Sequence, residues 1–193
     1  ERILTHFKPK IFVFENVTGL LSAQNSQGEK IIELLKIAFK KIGYTIEQQV
    51  MNAADYGIPQ RRKRVIIVSL KDAKFVFPKP THSEDGIDLK RYVSVEEALG
   101  DLPEAIADEN GVVNYSMPAQ SEFQKFVRRN VAITEHFIPQ MSELDEYIVR
   151  HVKPGGNYMD IPADVNSSRI RRLQRDGGHT TCYGRLAPDK PSY

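Results

Sequence analysis

A single cysteine, Cys182, occurs in these 193 residues, and there is no tryptophan. One thiol excludes an intrachain disulfide framework and points to a reducing, cytoplasmic setting. No apolar run approaches the roughly 20 residues that cross a bilayer, so no membrane-spanning helix is expected. The five histidines stand at no metal-ligand spacing and have no second cysteine to join them, so no metal site is expected either. A glycine-rich loop of the dinucleotide or P-loop type is also missing.

What is present is an ordinary globular composition, 40% hydrophobic and 27% charged. The length favours one domain with room for a small second one. Net charge is only +2, but it is unevenly spread. Residues 1–80 hold 14 Lys/Arg against 7 Asp/Glu, residues 81–160 hold 7 against 15, and residues 161–193 hold 6 against 3. Two basic segments therefore flank an acidic one, and basic faces attract phosphates through charge and counterion release.

The sequence predicts the end of a helix over 1–8, with Pro9 at its exit, and a first strand over 10–14. That strand is apolar on both faces, as in a parallel sheet covered by helices. Residues 18–27 read as a polar loop ending at Gly28. Over 29–42, Ile31, Leu34, Leu35, Ala38, Phe39 and Ile42 recur at helical steps and form one apolar stripe, with Gly43 placed to end the helix. A strand over 44–51, a turn-rich loop over 52–59 and a strand over 64–70 follow. The order strand, helix, strand, loop, strand fits half of a doubly wound α/β sheet. Beyond Phe77-Pro78-Lys79-Pro80 the texture changes and strands become hard to find. Ser94-Val95-Glu96-Glu97 is a capping box that starts a short helix, and further helices are expected over 120–129 and 142–152. A boundary is placed near residue 80, ahead of a loop-rich domain of the kind that carries recognition surfaces.

Three features could carry chemistry. Glu15 follows the apolar strand Ile11-Phe12-Val13-Phe14, so it is either an exposed loop residue or an acid at the rim of the sheet, able to share a proton with a ring nitrogen of a base. Asn16 beside it can fix the turn by hydrogen bonding to backbone. Gln60-Arg61-Arg62-Lys63-Arg64 is either a solvated charge run or an anion site. It follows the tight turn Tyr56-Gly57-Ile58-Pro59 and leads into a buried strand, and alternation along that strand would set Arg62 and Arg64 on the same side. Near the end, Arg169, Arg171, Arg172, Arg175 and Arg185 interleave with glycines and Tyr183, as either a flexible basic surface able to approach a DNA groove or a basic helix face. Nothing marks Cys182 as activated, and it reads as structural.

At these residues the chain resembles the cytosine-C5 DNA methyltransferases. Phe14-Glu15-Asn16-Val17 with Gly19-Leu20 is similar to the family's Glu-Asn-Val motif. Asn52 through Val65, with Gln60-Arg61-Arg62-Lys63-Arg64 at its core, is similar to the Gln-x-Arg-x-Arg motif and its leader. Val95-Glu96-Glu97-Ala98-Leu99-Gly100-Asp101-Leu102-Pro103 is similar to the entry of the target-recognition region, and Tyr183-Gly184-Arg185-Leu186-Ala187-Pro188-Asp189-Lys190-Pro191-Ser192 to its close. The resemblance implies methyl transfer from S-adenosylmethionine to carbon 5 of a cytosine flipped out of double-stranded DNA. In that chemistry a thiolate adds to carbon 6, and the motif glutamate assists by binding or protonating ring N3. Glu15 takes that role by resemblance, and Arg64 helps hold the base and the nucleophile. Arg62 would contact the DNA backbone or support the same pocket. Gln60, Arg171, Arg172 and Arg185 are the remaining DNA-binding candidates, and Asn16 is structural at the site.

Some of the family's parts are missing from this sequence. It has no Pro-Cys nucleophile pair and no cofactor loop, so neither a nucleophile nor a cofactor-binding residue is assigned. Together with a start at Glu1 and an end at Pro191-Ser192-Tyr193, this predicts a portion of a longer enzyme, inactive alone. The missing N-terminal catalytic half would be supplied in cis or in trans. The fold expected is a partial Rossmann-like methyltransferase sheet over 1–80 followed by a loop-rich α+β target-recognition domain over 81–193, with DNA in the cleft between them. The implied setting is the cytoplasm, at the bacterial nucleoid, within a restriction-modification system. Two other readings stay open: a non-catalytic DNA-binding subunit or degenerate relative, and a tRNA cytosine-C5 methyltransferase.

Overall fold

The computed structural model describes residues 2–71, 73–106, 108, 110–129, 132–165, 167–179 and 181–193. It is a mixed α/β fold built on small sheets. In chain order the elements are α1 (Arg2–Phe7), β1 (Ile11–Asn16), a 3-10 turn (Thr18–Leu21), α2 (Ile31–Lys41), β2 (Ile46–Asn52), a 3-10 turn (Ala53–Tyr56), β3 (Lys63–Leu70), β4 (His82–Ser83) and β5 (Lys90–Arg91). Then come α3 (Val95–Leu99), β6 (Val112–Asn114), α4 (Glu122–Val127), β7 (Ala132–Thr134), α5 (Glu143–His151), a 3-10 turn (Tyr158–Asp160) and α6 (Ser168–Asp176). The described residues fall into two compact units, one within 2–57 and 61–91, the other within 58–60 and 92–193.

The three-stranded sheet of the first unit has the order β1-β3-β2, and both of its pairings are antiparallel. This corrects the expectation of parallel neighbours. β1 and β2 do run the same way, but β3 separates them. Only the ten residues 53–62 join β2 to β3, too few for a parallel crossover, so the chain folds back on itself. Gly57 permits the reversal at φ +83°, a left-handed conformation that glycine adopts without steric cost.

β3 is the centre of this unit because its residues are branched and apolar. Val65, Ile67 and Ser69 face α2, and Val65 and Ile67 are fully buried against Ile32 with Leu20, Leu21 and Ile46 around them. Burying each such side chain contributes about 1.5–3 kcal/mol. Ile32, outside the stripe read from the sequence, makes the deepest contact of α2. The helix stops where expected: Gly43 has φ +87° and donates its N–H to the Lys40 carbonyl at 3.1 Å. β1 is not covered on both faces. Phe12 packs on Phe39 and Tyr44, whereas Val13 on the opposite face is 64% exposed.

The second unit is assembled from short capped pieces. Ser94 accepts from the Glu97 N–H at 3.1 Å, and Glu97 accepts from the Ser94 N–H at 2.9 Å. Ser121 and Gln124 repeat the device at α4, and the Ser121 hydroxyl donates to the Glu97 carbonyl, joining α4 to α3. Ser94→Ala removes one cap and should cost about 1 kcal/mol, read as a lower urea midpoint with an unchanged slope. The short pair β6–β7 of this unit, like β4–β5 of the first, carried no sequence signal, each strand being two or three residues long. The core of the unit joins Ile148, Val152, Tyr158, Ile161, Val165 and Ile170, with Leu173, Cys182 and Tyr183 packed against it. Cys182 is thus a packing residue, as the sequence suggested.

Candidate active site

Strand register brings the acid and the guanidinium together. Glu15 lies opposite Ile66, and Arg64 is two residues before Ile66, hence on the same face and diagonal to Glu15. Arg64 Nε stands 3.3 Å from Glu15 Oε1. The Arg64 side chain is 24% exposed and that of Glu15 55%, so the pair sits on an open rim with the carboxyl accessible from solvent. Arg64 is held a second time, its Nη1 donating to the Lys63 carbonyl at 2.8 Å. Asn16 closes the turn after the strand: its Oδ1 accepts from the Val17 N–H at 2.8 Å, and the 3-10 turn Thr18–Leu21 follows.

The rest of the cationic run is partitioned. Arg61 forms two hydrogen bonds to Glu84, Nη1 to Oε2 at 3.1 Å and Nη2 to Oε1 at 2.5 Å. Arg62 lies before β3 begins, so the alternation argument that set it beside Arg64 does not apply. Its carbonyl accepts from the Ala53 N–H at 3.0 Å, which holds it in the loop, and its exposed guanidinium makes no ion pair among the described residues. Gln60 belongs to the second unit, where the preceding Pro59 carbonyl accepts from both the N–H and the hydroxyl of Ser192, at 2.9 and 3.0 Å.

Of the arginines near the end, Arg169, Arg171, Arg172 and Arg175 are on the helix α6, and Arg185 lies beyond it. Ser167 caps α6, and Ile170, Leu173 and Gln174 face inward, Gln174 donating to the Tyr158 and Ile161 carbonyls at 3.2 and 2.8 Å. Arg171 and Arg172 project to solvent, and Arg175 pairs with Asp176 at 2.6 Å. Arg185 has a structural share: its Nη1 donates to the Val152 carbonyl at 3.2 Å, next to a cavity of about 370 Å³ walled by Ile148, Val152 and Tyr183. Among the described residues no group of three His, Cys, Asp or Glu side chains is disposed to hold a metal.

The sequence family C-5 cytosine-specific DNA methylase matches this chain across residues 1–185. The chain belongs to the C-5 cytosine-specific DNA methylase family.

Among curated relatives, Type II methyltransferase M.BbvI of Brevibacillus brevis is 31% identical over 100% of this chain and 42% of its own length. Type II methyltransferase M.Bpa9945I of Bacillus paralicheniformis is 37% identical over 91% of this chain and 44% of its own. This chain therefore spans under half the length of these methylases. A crystal structure from E. coli, of a prophage-encoded protein described as a DNA modification methyltransferase, superposes with a TM-score of 0.63 over 99% of this chain and 54% of that one. At 18% identity that likeness shows the fold. No helix among the described residues is long and apolar enough to cross a membrane.

Proposed function

We propose that this chain is the catalytic-rim and target-recognition portion of a DNA (cytosine-5)-methyltransferase, with residues 1–80 completing the catalytic sheet and 81–193 forming most of the recognition domain. The Glu15–Arg64 pair carries this reading. A cytosine extruded from the duplex presents its ring N3 to the Glu15 carboxyl. A proton or hydrogen bond given there makes carbon 6 electrophilic enough for a thiol to add, which in turn makes carbon 5 nucleophilic. Arg64 holds the Glu15 carboxyl in place and offers its remaining N–H groups to the base.

The thiol and the methyl donor belong to the N-terminal half, in cis or in trans. S-adenosylmethionine supplies the methyl group to this family's chemistry. The cavity beside the start of β1, about 360 Å³, is lined by Leu4, Thr5, Lys8, Ile42, Gly43, Tyr44 and Lys71, and among the described residues lining it there is no carboxylate for a sulfonium or an ammonium group. These described residues do not fit that cofactor, and none of them is assigned to holding it.

Double-stranded DNA is the partner, gripped through Arg62, Arg171, Arg172 and Arg185, with Gln60 beside them. The setting is the bacterial cytoplasm, in a restriction-modification system like those of the Type II relatives. Removing one free phosphate-binding cation should weaken binding to all sequences and flatten its salt dependence. Arg62→Ala and Arg172→Ala should each lower the slope of log K against log salt by about 1, measured by fluorescence anisotropy on duplex DNA. Competition by tRNA at least as strong as by duplex DNA would favour the tRNA-modifying reading. Tight DNA binding by the full-length protein without methyl transfer would favour a binding subunit.

A further inference from the structure

Four contacts join the segment 78–84 to the segment 55–61, all within the first unit. The Thr81 N–H donates to the Asp55 carbonyl at 2.9 Å. The Tyr56 hydroxyl donates to the Pro78 carbonyl at 3.0 Å. Gly57 lies flush against the His82 ring: a β-carbon there would come within 2.7 Å of His82 Cε1. Arg61 forms its bidentate pair with Glu84.

The contacts come in an order that fixes a path. Asp55, Tyr56 and Gly57 enter the loop, and Arg61 leaves it immediately before Arg62 and the strand that carries Arg64. Pro78 and Pro80 stiffen the incoming segment by fixing φ at two of its residues. His82 is itself oriented, with its Nδ1 at 2.8 Å from the Thr81 hydroxyl. Tyr56 keeps its proton available, because burial first and the Asp55 charge second push its phenol above the usual range.

We propose that residues 78–84 act as a strap that presets the arginine run, with His82 and Glu84 as positioning residues and Arg61 serving the strap rather than touching DNA. This deepens the methyltransferase reading and rests on it for its catalytic consequence. The strap divides the labour within Gln60-Arg61-Arg62-Lys63-Arg64. Arg61 is committed to Glu84 and Arg64 to Glu15, while Arg62 remains open to a phosphate. The pair with Glu84 engages both terminal nitrogens of Arg61 and balances its charge. A fixed loop lets Arg64 meet Glu15 without an ordering step on binding.

The test is a charge swap in the full-length protein. Glu84→Arg and Arg61→Glu each set like charges face to face and should each lower kcat/KM for methyl transfer by about 10-fold or more, since small misplacement near reacting groups is costly. The double variant Arg61→Glu/Glu84→Arg restores the pair with its sign reversed and should return to within about 3-fold of the parent, on the same physical ground. If the double variant stays as impaired as Arg61→Glu, then Arg61 itself meets the DNA and the proposal is overturned. Full activity in both single variants overturns it too. Amide hydrogen exchange over 55–64 reads the strap without any activity. Exchange should rise in Glu84→Arg and in His82→Ala and fall back in the swap. Unaltered exchange in all three variants contradicts the strap. A protein that shows this exchange pattern but methylates no DNA contradicts the methyltransferase reading instead.

Discussion

Glu15→Gln in the full-length protein lowers methyl transfer by a factor of about 10²–10⁴, the range that a positioned proton donor supplies, while duplex DNA affinity stays within a few-fold. The two readouts part because glutamine preserves the shape of the side chain. Its amide can still approach a ring nitrogen, but it cannot deliver a proton. It also loses the charge that holds Arg64 Nε at 3.3 Å. The rim is open enough that the substitution should not disturb folding, since Glu15 is more than half exposed. Incorporation of labelled methyl groups under single-turnover conditions, with binding followed separately by anisotropy, separates these effects. Undiminished methyl transfer would remove Glu15 from the chemistry, and a large loss of DNA affinity would make it a binding residue.

Asp101→Ala destabilises the second unit by about 3–5 kcal/mol, the range observed when one partner of a buried ion pair is removed. Asp101 is 3% exposed, and its Oδ2 lies 3.3 Å from Arg128 Nη2. Arg128 makes two further contacts, although its buried Nε has no hydrogen-bond partner among the described residues. Its Nη2 also donates to the Met117 carbonyl at 2.8 Å, and its guanidinium carbon stacks 3.4 Å from the centre of the Tyr115 ring. Removing the aspartate leaves a guanidinium whose side chain is only 18% exposed without its counter-charge. Replacing both partners, as Asp101→Ala with Arg128→Met, removes the stranded charge and should recover much of the loss. Urea unfolding followed by the fluorescence of the chain's eight tyrosines checks both variants, there being no tryptophan. A loss below about 1 kcal/mol, typical of an exposed pair, would show that the site is hydrated.

The parts legible in sequence were those where one residue dictates one local geometry. Gly43 and Gly57 mark a helix end and a reversal because both need positive φ. Ser94 with Glu97 announced a cap that forms as written. Glu15 and Arg64 could be named because each sits at the junction of a strand with polar sequence. Pairing direction was not legible. An apolar strand such as β1 has the same pattern whichever way its neighbour runs, and only the ten-residue return between β2 and β3 decides it. The alternation argument does not reach Arg62 for a related reason, since it applies only once the strand has begun, at Lys63. The contacts of Glu84, Asp101 and Arg128 are long-range, and each of these residues alone reads as a solvated charge.

The central claim is that the carboxyl of Glu15, steadied by Arg64, acts on a cytosine in DNA. Bisulfite sequencing tests it most directly, applied to both genomic DNA and tRNA from a methylation-free bacterial host expressing the full-length protein or its Glu15→Gln variant. The account predicts protected cytosines at one recurring duplex sequence with the parent protein and none with the variant. Protection confined to tRNA, or equal protection of DNA by the Glu15→Gln protein, would contradict it.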